Sequence, residues 1–146
     1  MKLIGRTLQA VVLCMLCGNA VAASITVGQC EVEPGTEVLV PVILALETGD
    51  SVAAIQFDLS MDSSIAVFTG ATPGESAIAA GKEISHTLRE DNVLSIIIAA
   101  LTPDTMDGGT IAYISVEAVA AAAQGDYPVS VSNILASDVY GIQIPC

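Results

Sequence analysis

Gly35–Asp62 reads GTEVLVPVILALETGDSVAAIQFDLSMD, two apolar runs that alternate with a period of two and are split by a turn. In the first run Thr36, Val38, Val40 and Val42 point one way, while Glu37, Leu39, Pro41 and Ile43 point the other. In the second, after Glu47-Thr48-Gly49-Asp50, Ala53, Ile55, Phe57 and Leu59 share one face, and Ala54, Gln56, Asp58 and Ser60 share the opposite one. Period-two alternation is the signature of a strand with one face on the core and one in solvent. The pattern therefore predicts two strands of an antiparallel sheet.

Outward from this stretch, turn signals recur at short intervals: Thr69-Gly70, Pro73-Gly74, Gly81, Asp91-Asn92, Gly108-Gly109, Gly125-Asp126 and Tyr140-Gly141. Short strands with frequent turns predict an all-β antiparallel sandwich. The alanine-rich Val116–Gln124 favours helix by propensity, but TIAYISV before it alternates, so a strand ending in a helical turn is expected there. No repeat, long linker or low-complexity tail divides the chain, and one domain is expected.

The N-terminus carries a different signal. Lys2 and Arg6 precede an apolar run from Leu8 to Cys17, and Ala20-Val21-Ala22 supplies the small residues a signal peptidase reads. Residues 1–22 are read as a secretory signal peptide, cleaved after Ala22, and residues 23–146 as the exported domain, secreted to an extracellular or periplasmic space. The run falls short of the roughly 20 residues a spanning helix needs, so no membrane insertion of the mature chain is expected. Cys14 and Cys17 lack the small residues that precede a lipid-modified cysteine, and ordinary cleavage is favoured over lipidation.

Cleavage leaves 124 residues, enough for a self-sufficient core. These hold all sixteen Asp and Glu against Lys82 and Arg89, a formal charge of −14 with His86 neutral. Such a surface repels nucleic acid and anionic lipid, and it favours solubility and basic partners. Catalytic motifs are absent from the sequence: His86 is the one mature histidine, and no G-x-S-x-G elbow, H-E-x-x-H pair or C-x-x-C cluster accompanies it. Carboxylates are so plentiful that neither Asp58 with Asp62 nor Asp104 with Asp107 stands out as an acid/base pair. No enzyme is expected.

The order of parts resembles a bacterial cohesin domain. G-x-x-V-x-V-P-V, a Gly-containing turn and VAAIQFDLSMD are similar to that family's start. Val93–Leu101 (VLSIIIAAL) looks like its middle strand, TIAYISVEAV like the long strand after a Gly pair, Gly125-Asp126-Tyr127-Pro128-Val129 like a G-x-Y-x-V strand start, and Ala136–Gly141 like the last hairpin. The resemblance covers about residues 24–145. It implies a nine-stranded jelly-roll-like sandwich, a noncatalytic docking role and a dockerin-bearing protein partner in extracellular polysaccharide degradation.

The family's docking face includes the third strand and the middle strand beside it, which points to Ala54, Gln56 and Asp58 on the one and to Ile96, Ile98 and Ala100 on the other. Ala54 and Gln56 stand where many cellulosomal type I cohesins have Asn and Asp, which puts recognition of their usual dockerins in doubt. Alternation within VLSIIIAAL is too apolar to set that strand's register, and a strand buried on both sides is the competing reading. The family's first and last strands are neighbours, and with an even cysteine count in an exported chain this implies a Cys30–Cys146 disulfide. It would close a loop of 117 residues, worth roughly 5 kcal/mol of chain entropy. A Cys146 that stays reduced or pairs between molecules is the alternative.

Dockerins carry calcium loops, and Thr102–Gly109 here has two aspartates and glycines but lacks the middle ligand and the distal Glu. A plain acidic turn is expected, with no metal site and no cofactor. A carbohydrate-binding module is the second functional reading, since such modules share the cohesin superfamily. Direct polysaccharide binding would call for a platform of rings, whereas this chain has no Trp and only Tyr113, Tyr127 and Tyr140 beside Phe57 and Phe68, with Phe57 and Tyr127 placed toward the core. A structural or adhesin-like extracellular domain is the third.

Overall fold

The computed structural model of the chain describes residues 6–11, as backbone, and residues 23–146. The elements run β1 (Arg6–Val11), β2 (Ala23–Val27), β3 (Cys30–Val32), β4 (Glu37–Leu46), β5 (Ala54–Ser60), β6 (Ala66–Pro73), α1 (Glu75–Ala79), β7 (Glu83–Arg89), β8 (Val93–Ala99), β9 (Gly109–Ala118), β10 (Tyr127–Ser137) and β11 (Gln143–Ile144). They form two sheets. One has the order β3-β1-β10-β5-β8-β7, with β11 also paired to β10; the other is β2-β4-β9-β6. Every pairing is antiparallel except that of β1 with β10. Eleven strands are described, close to the nine expected for the jelly-roll, and three of them, β1 and the very short β3 and β11, are minor. β1 falls within the segment read as leader, and the cleavage point after Ala22 lies outside the described residues.

Alternation in the two opening runs has the predicted sense. Val40, Val42 and Leu44 on β4 and Ile55, Phe57 and Leu59 on β5 are buried between the sheets, whereas Leu39, Ile43 and Gln56 face out. On β9 Ala112, Ile114 and Val116 join the core, while Tyr113 and Ser115 lie on the outer side. Burying this many branched and aromatic side chains, at about 1.5–3 kcal/mol each, drives the two sheets together.

Val116–Gln124 is strand as far as Ala118, where β9 ends, and then a turn closed by the Ala122 N–H donating to Val119 O at 3.0 Å. The one α-helix among the described residues is α1, too short to show a helical stripe in sequence. It packs on β9. The Gly74 before it approaches so closely that a Cβ there would sit 2.5 Å from Thr110 O.

β7 and β8 are joined by a turn in which Asp91 and Asn92 both adopt positive φ, 59° and 56°. Asn92 is buried, and its amide donates to Met61 O (3.1 Å) and Ala66 O (2.9 Å) and accepts from the Phe68 N–H (3.1 Å). It ties this turn to the ends of β5 and β6, so the β7–β8 hairpin is anchored to both sheets.

First and last strands meet as the family resemblance implies: the Ala23 N–H donates to Pro145 O at 3.3 Å. The expected Cys30–Cys146 bridge is nevertheless not formed. Cys146 follows Pro145 at the Ala23 end of β2, and Cys30 lies seven residues further on. The registers place Cys30 across β1 from Tyr127, while Ile144 pairs with Ala136 nine residues further along β10. The two cysteines therefore lie toward opposite ends of that strand, at roughly 3.3 Å per residue well beyond the roughly 7 Å between Cα atoms that a disulfide tolerates. Cys30 is a half-buried thiol that burial pushes up in pKa, and Cys146 Sγ, also half-buried, donates to Ile144 O at 3.5 Å.

Candidate docking face

The outer face of β10-β5-β8-β7 can be read directly from its registers. Asp58 pairs with Ser95 and Ser132, Gln56 with Ile97 and Leu135, and Ala54 with Ser137. Across β8, Ser95 faces Thr87, Ile97 faces Ser85, and Val93 faces Arg89. Side chains directly opposite in a sheet point to the same side. The face therefore presents Ala54, Gln56 and Asp58 from β5, Ser95 and Ile97 from β8, Leu135 from β10, and Ser85, Thr87 and Arg89 from β7.

The expected docking positions on the middle strand are thereby corrected. Ile96 and Ile98 are buried in the core opposite Phe57 and Ile55, and Ala100 lies beyond the end of β8. The outward residues of the middle strand are those of the other parity. With apolar side chains on both faces, hydrophobic alternation in VLSIIIAAL is silent, and the ladder to β5 sets the register. Ser95 was the signal available in sequence, as the one polar residue of the run marks the solvated parity.

Ile97 and Leu135 are exposed to 50% and 46%. They flank a groove of about 270 Å³ lined also by Ala54, Gln56, Gly141 and Gln143. Beyond it the β10–β11 turn carries Tyr140 and Ile142, both exposed, with the Tyr140 and Ile142 N–H groups donating to Asp138 Oδ1 at 2.8 and 2.9 Å. The surface is thus apolar around Ile97 and Leu135, while the exposed charges of this face, Glu83 and Arg89, lie on β7.

Asp58 behaves differently from its neighbours. Although it points outward it is only 8% exposed, covered by Arg89, which pairs with its Oδ2, and by Asn133, whose amide donates to the same oxygen at 2.7 Å. Asn133 reaches it because β10 bulges between Ser132 and Leu135, where Asn133 takes φ 51°. Burial pushes the Asp58 carboxyl up, but hydrogen bonds from Ser95 and Asn133 and the charge and hydrogen bond of Arg89 together outweigh it and hold it below its ordinary value. A second groove of about 270 Å³ opens here, lined by Asp58, Arg89, Ser95, Asn133, Gln56 and Ile97. Gln56 and Ile97 border both grooves.

The remaining candidates lie apart. Asp62 accepts from the Ser64 N–H at 2.8 Å beyond the end of β5. In the Thr102–Gly109 segment Met106 bridges to Val52, and Asp107 O accepts from Ser76 Oγ at 2.9 Å. Lys82, buried, donates to Thr102 O at 3.2 Å. Among the described residues no group of three or more His, Cys, Asp or Glu side chains is placed to hold a metal ion. His86 is exposed on the edge strand β7. The tyrosines are dispersed: Tyr113 lies on the other sheet with its hydroxyl on Glu75 Oε1 (2.8 Å), Tyr127 is half-buried with its hydroxyl on Ala123 O (2.7 Å), and Tyr140 is at the hairpin tip.

Comparison with known proteins bears on this architecture. No curated protein matches the chain significantly. Among solved structures, a cohesin–dockerin complex of OlpA with Doc918 from Clostridium thermocellum superimposes with a TM-score of 0.73 at 17% identity, covering 85% of this chain and 92% of that one. A non-cellulosomal cohesin from the archaeon Archaeoglobus fulgidus gives 0.68 at 20% identity, with 84% and 82% covered. The sixth cohesin of Acetivibrio cellulolyticus scaffoldin B, solved with a mutant Cel5 dockerin, gives 0.68 at 19% identity, with 78% and 84% covered. At these identities the likeness establishes the fold. The sequence profile of the Cohesin domain matches residues 23–144, nearly the whole of the sandwich, and the chain belongs to the cohesin family.

Proposed function

We propose that this chain is an exported, noncatalytic docking module that binds a dockerin-type protein through the outer face of β10-β5-β8-β7, in the setting of extracellular polysaccharide degradation. The observation that carries the reading is the half-exposed pair Ile97 and Leu135, set about a groove on the outer sheet face, with the Asp58–Arg89 ion pair beside it. A helix laying its apolar side across such a face buries both residues. The solved complexes with dockerins support the partner class. The signal-peptide pattern of residues 1–22, with Lys2 and Arg6 before an apolar run and Ala20-Val21-Ala22 after it, supports export.

Purified dockerin modules, Doc918 and the Cel5 dockerin among them, provide the test by titration calorimetry. Ile97→Asp is expected to lose binding while melting near the wild-type temperature, because a charge facing solvent costs little until an apolar partner must cover it. Equal binding by wild type and variant would move the docking site elsewhere. A panel in which no dockerin binds the wild type would remove the dockerin assignment.

A further inference from the structure

The partner's chemistry can be narrowed further, on the basis of the docking reading above. Within residues 23–146 the chain holds two cationic side chains, and Lys82 is buried beneath the Thr102 carbonyl. Arg89 is then the one exposed cation in this part of the molecule, and its side chain is 53% exposed on the docking face.

Asp58 holds it in place. That carboxylate is almost covered and takes hydrogen bonds from Asn133 and Arg89 on one oxygen, with Ser95 beside it. It offers a partner almost no surface of its own. A guanidinium carries five N–H donors in a rigid fork, and the structure records one of the terminal nitrogens, Nη2, on Asp58. Arg89 lines the groove that shares Gln56 and Ile97 with the apolar groove beside Leu135. An anchored, half-exposed guanidinium next to an apolar pair is arranged to receive a carboxylate, where bidentate geometry supplies direction as well as energy.

The geometry points to Arg89 as the specificity-determining residue of the docking face, reading a single Asp or Glu side chain on an amphipathic helix whose apolar side covers Ile97 and Leu135. Charge sets the limit to one. The chain's surplus of carboxylates, with Glu90 and Asp91 next to Arg89 in sequence and exposed, repels an acidic segment as a whole. The helix that fits is neutral or basic apart from that one carboxylate.

A displayed library of amphipathic helices, selected against the exported protein and counter-selected against its Ile97→Asp variant, supplies the probe. The expected binders carry a fixed Asp or Glu. Replacing it by Asn or Gln should weaken binding at least tenfold to the wild type and less than twofold to Arg89→Gln. The double variant Asp58→Asn, Arg89→Gln, which removes both charges together, should behave like Arg89→Gln, with thermal melting to show that each variant is folded. Binders that depend on Ile97 but lack a carboxylate, or that lose equal affinity with and without Arg89, overturn the assignment to Arg89 alone. Selection that yields no Ile97-dependent binder overturns the docking reading and this assignment with it.

Discussion

Neighbouring residues on one strand have opposite fates here, and four substitutions, two on β8 and two on β5, make that measurable. Ile98 is buried opposite Ile55, so Ile98→Asp places an unpaired charge in the core and should abolish cooperative thermal unfolding. Ile97→Asp, one residue away, should leave the melting curve nearly unchanged. On β5, Phe57→Ala is expected to cost roughly 3–5 kcal/mol, since lost burial and a residual cavity both act, whereas Gln56→Ala should stay within about 0.5 kcal/mol. Urea denaturation of the pair checks it. Asp58 adds a pH dependence. Its carboxyl is held below the ordinary 3.8, so the native state binds fewer protons than the unfolded one. Its contribution to stability is therefore present above that value and is lost as pH falls through the lower folded value. The Asp58→Asn variant should show a shallower loss of stability below pH 3.8 than the wild type in acid titrations of melting temperature. An unchanged slope would mean that the hydrogen bonds around Asp58 do not distinguish its two protonation states.

At the scale of elements, hairpins and strand edges carry the stability of the face. Asn92 satisfies three backbone groups from the ends of β5 and β6 while holding the β7–β8 turn at positive φ. Asn92→Ala leaves those groups buried without partners and removes a residue tolerant of the left-handed region, and a loss of roughly 2–4 kcal/mol is expected by chemical denaturation. Asn92→Gly keeps the backbone freedom but still lacks the hydrogen bonds, so it should recover only a minor part of that loss. Cleavage after Ala22, as proposed, would change the edge of β10. β1 pairs with Tyr127–Ser130 of β10 and with Cys30–Val32 of β3, and removal of residues 1–22 takes that partner away. Backbone amides of 127–130 and 30–32 should exchange with deuterium faster in the processed chain than in the precursor. Equal protection would show that the two strands find other partners once the leader is gone.

At the scale of the whole molecule, the exported form proposed above should start at Ala23 and lack a bridge between Cys30 and Cys146, which intact mass after alkylation without reductant checks in one measurement. A mass two hydrogens lower, with no label taken up, would mean that strand registers near the C-terminus differ from those described. The sequence by itself determined the layer architecture, since alternation in β4, β5 and β9 records which side of each strand faces the core, and glycines and the Asp91-Asn92 pair record where strands end. It also determined the charge and, through Ala54, Gln56 and Asp58, one strand of the candidate face. Tertiary structure alone decided the rest. An apolar run such as VLSIIIAAL satisfies either parity, and only the hydrogen-bond ladder to β5 turns Ile97 outward and Ile98 inward. Likewise Asp58 reads as a solvated position, yet Arg89 from β7 and Asn133 from the β10 bulge, 31 and 75 residues away in sequence, converge to cover it. Period-two patterning is local chemistry and survives in the sequence. Register and convergence are set by which strands become neighbours, which no local pattern encodes.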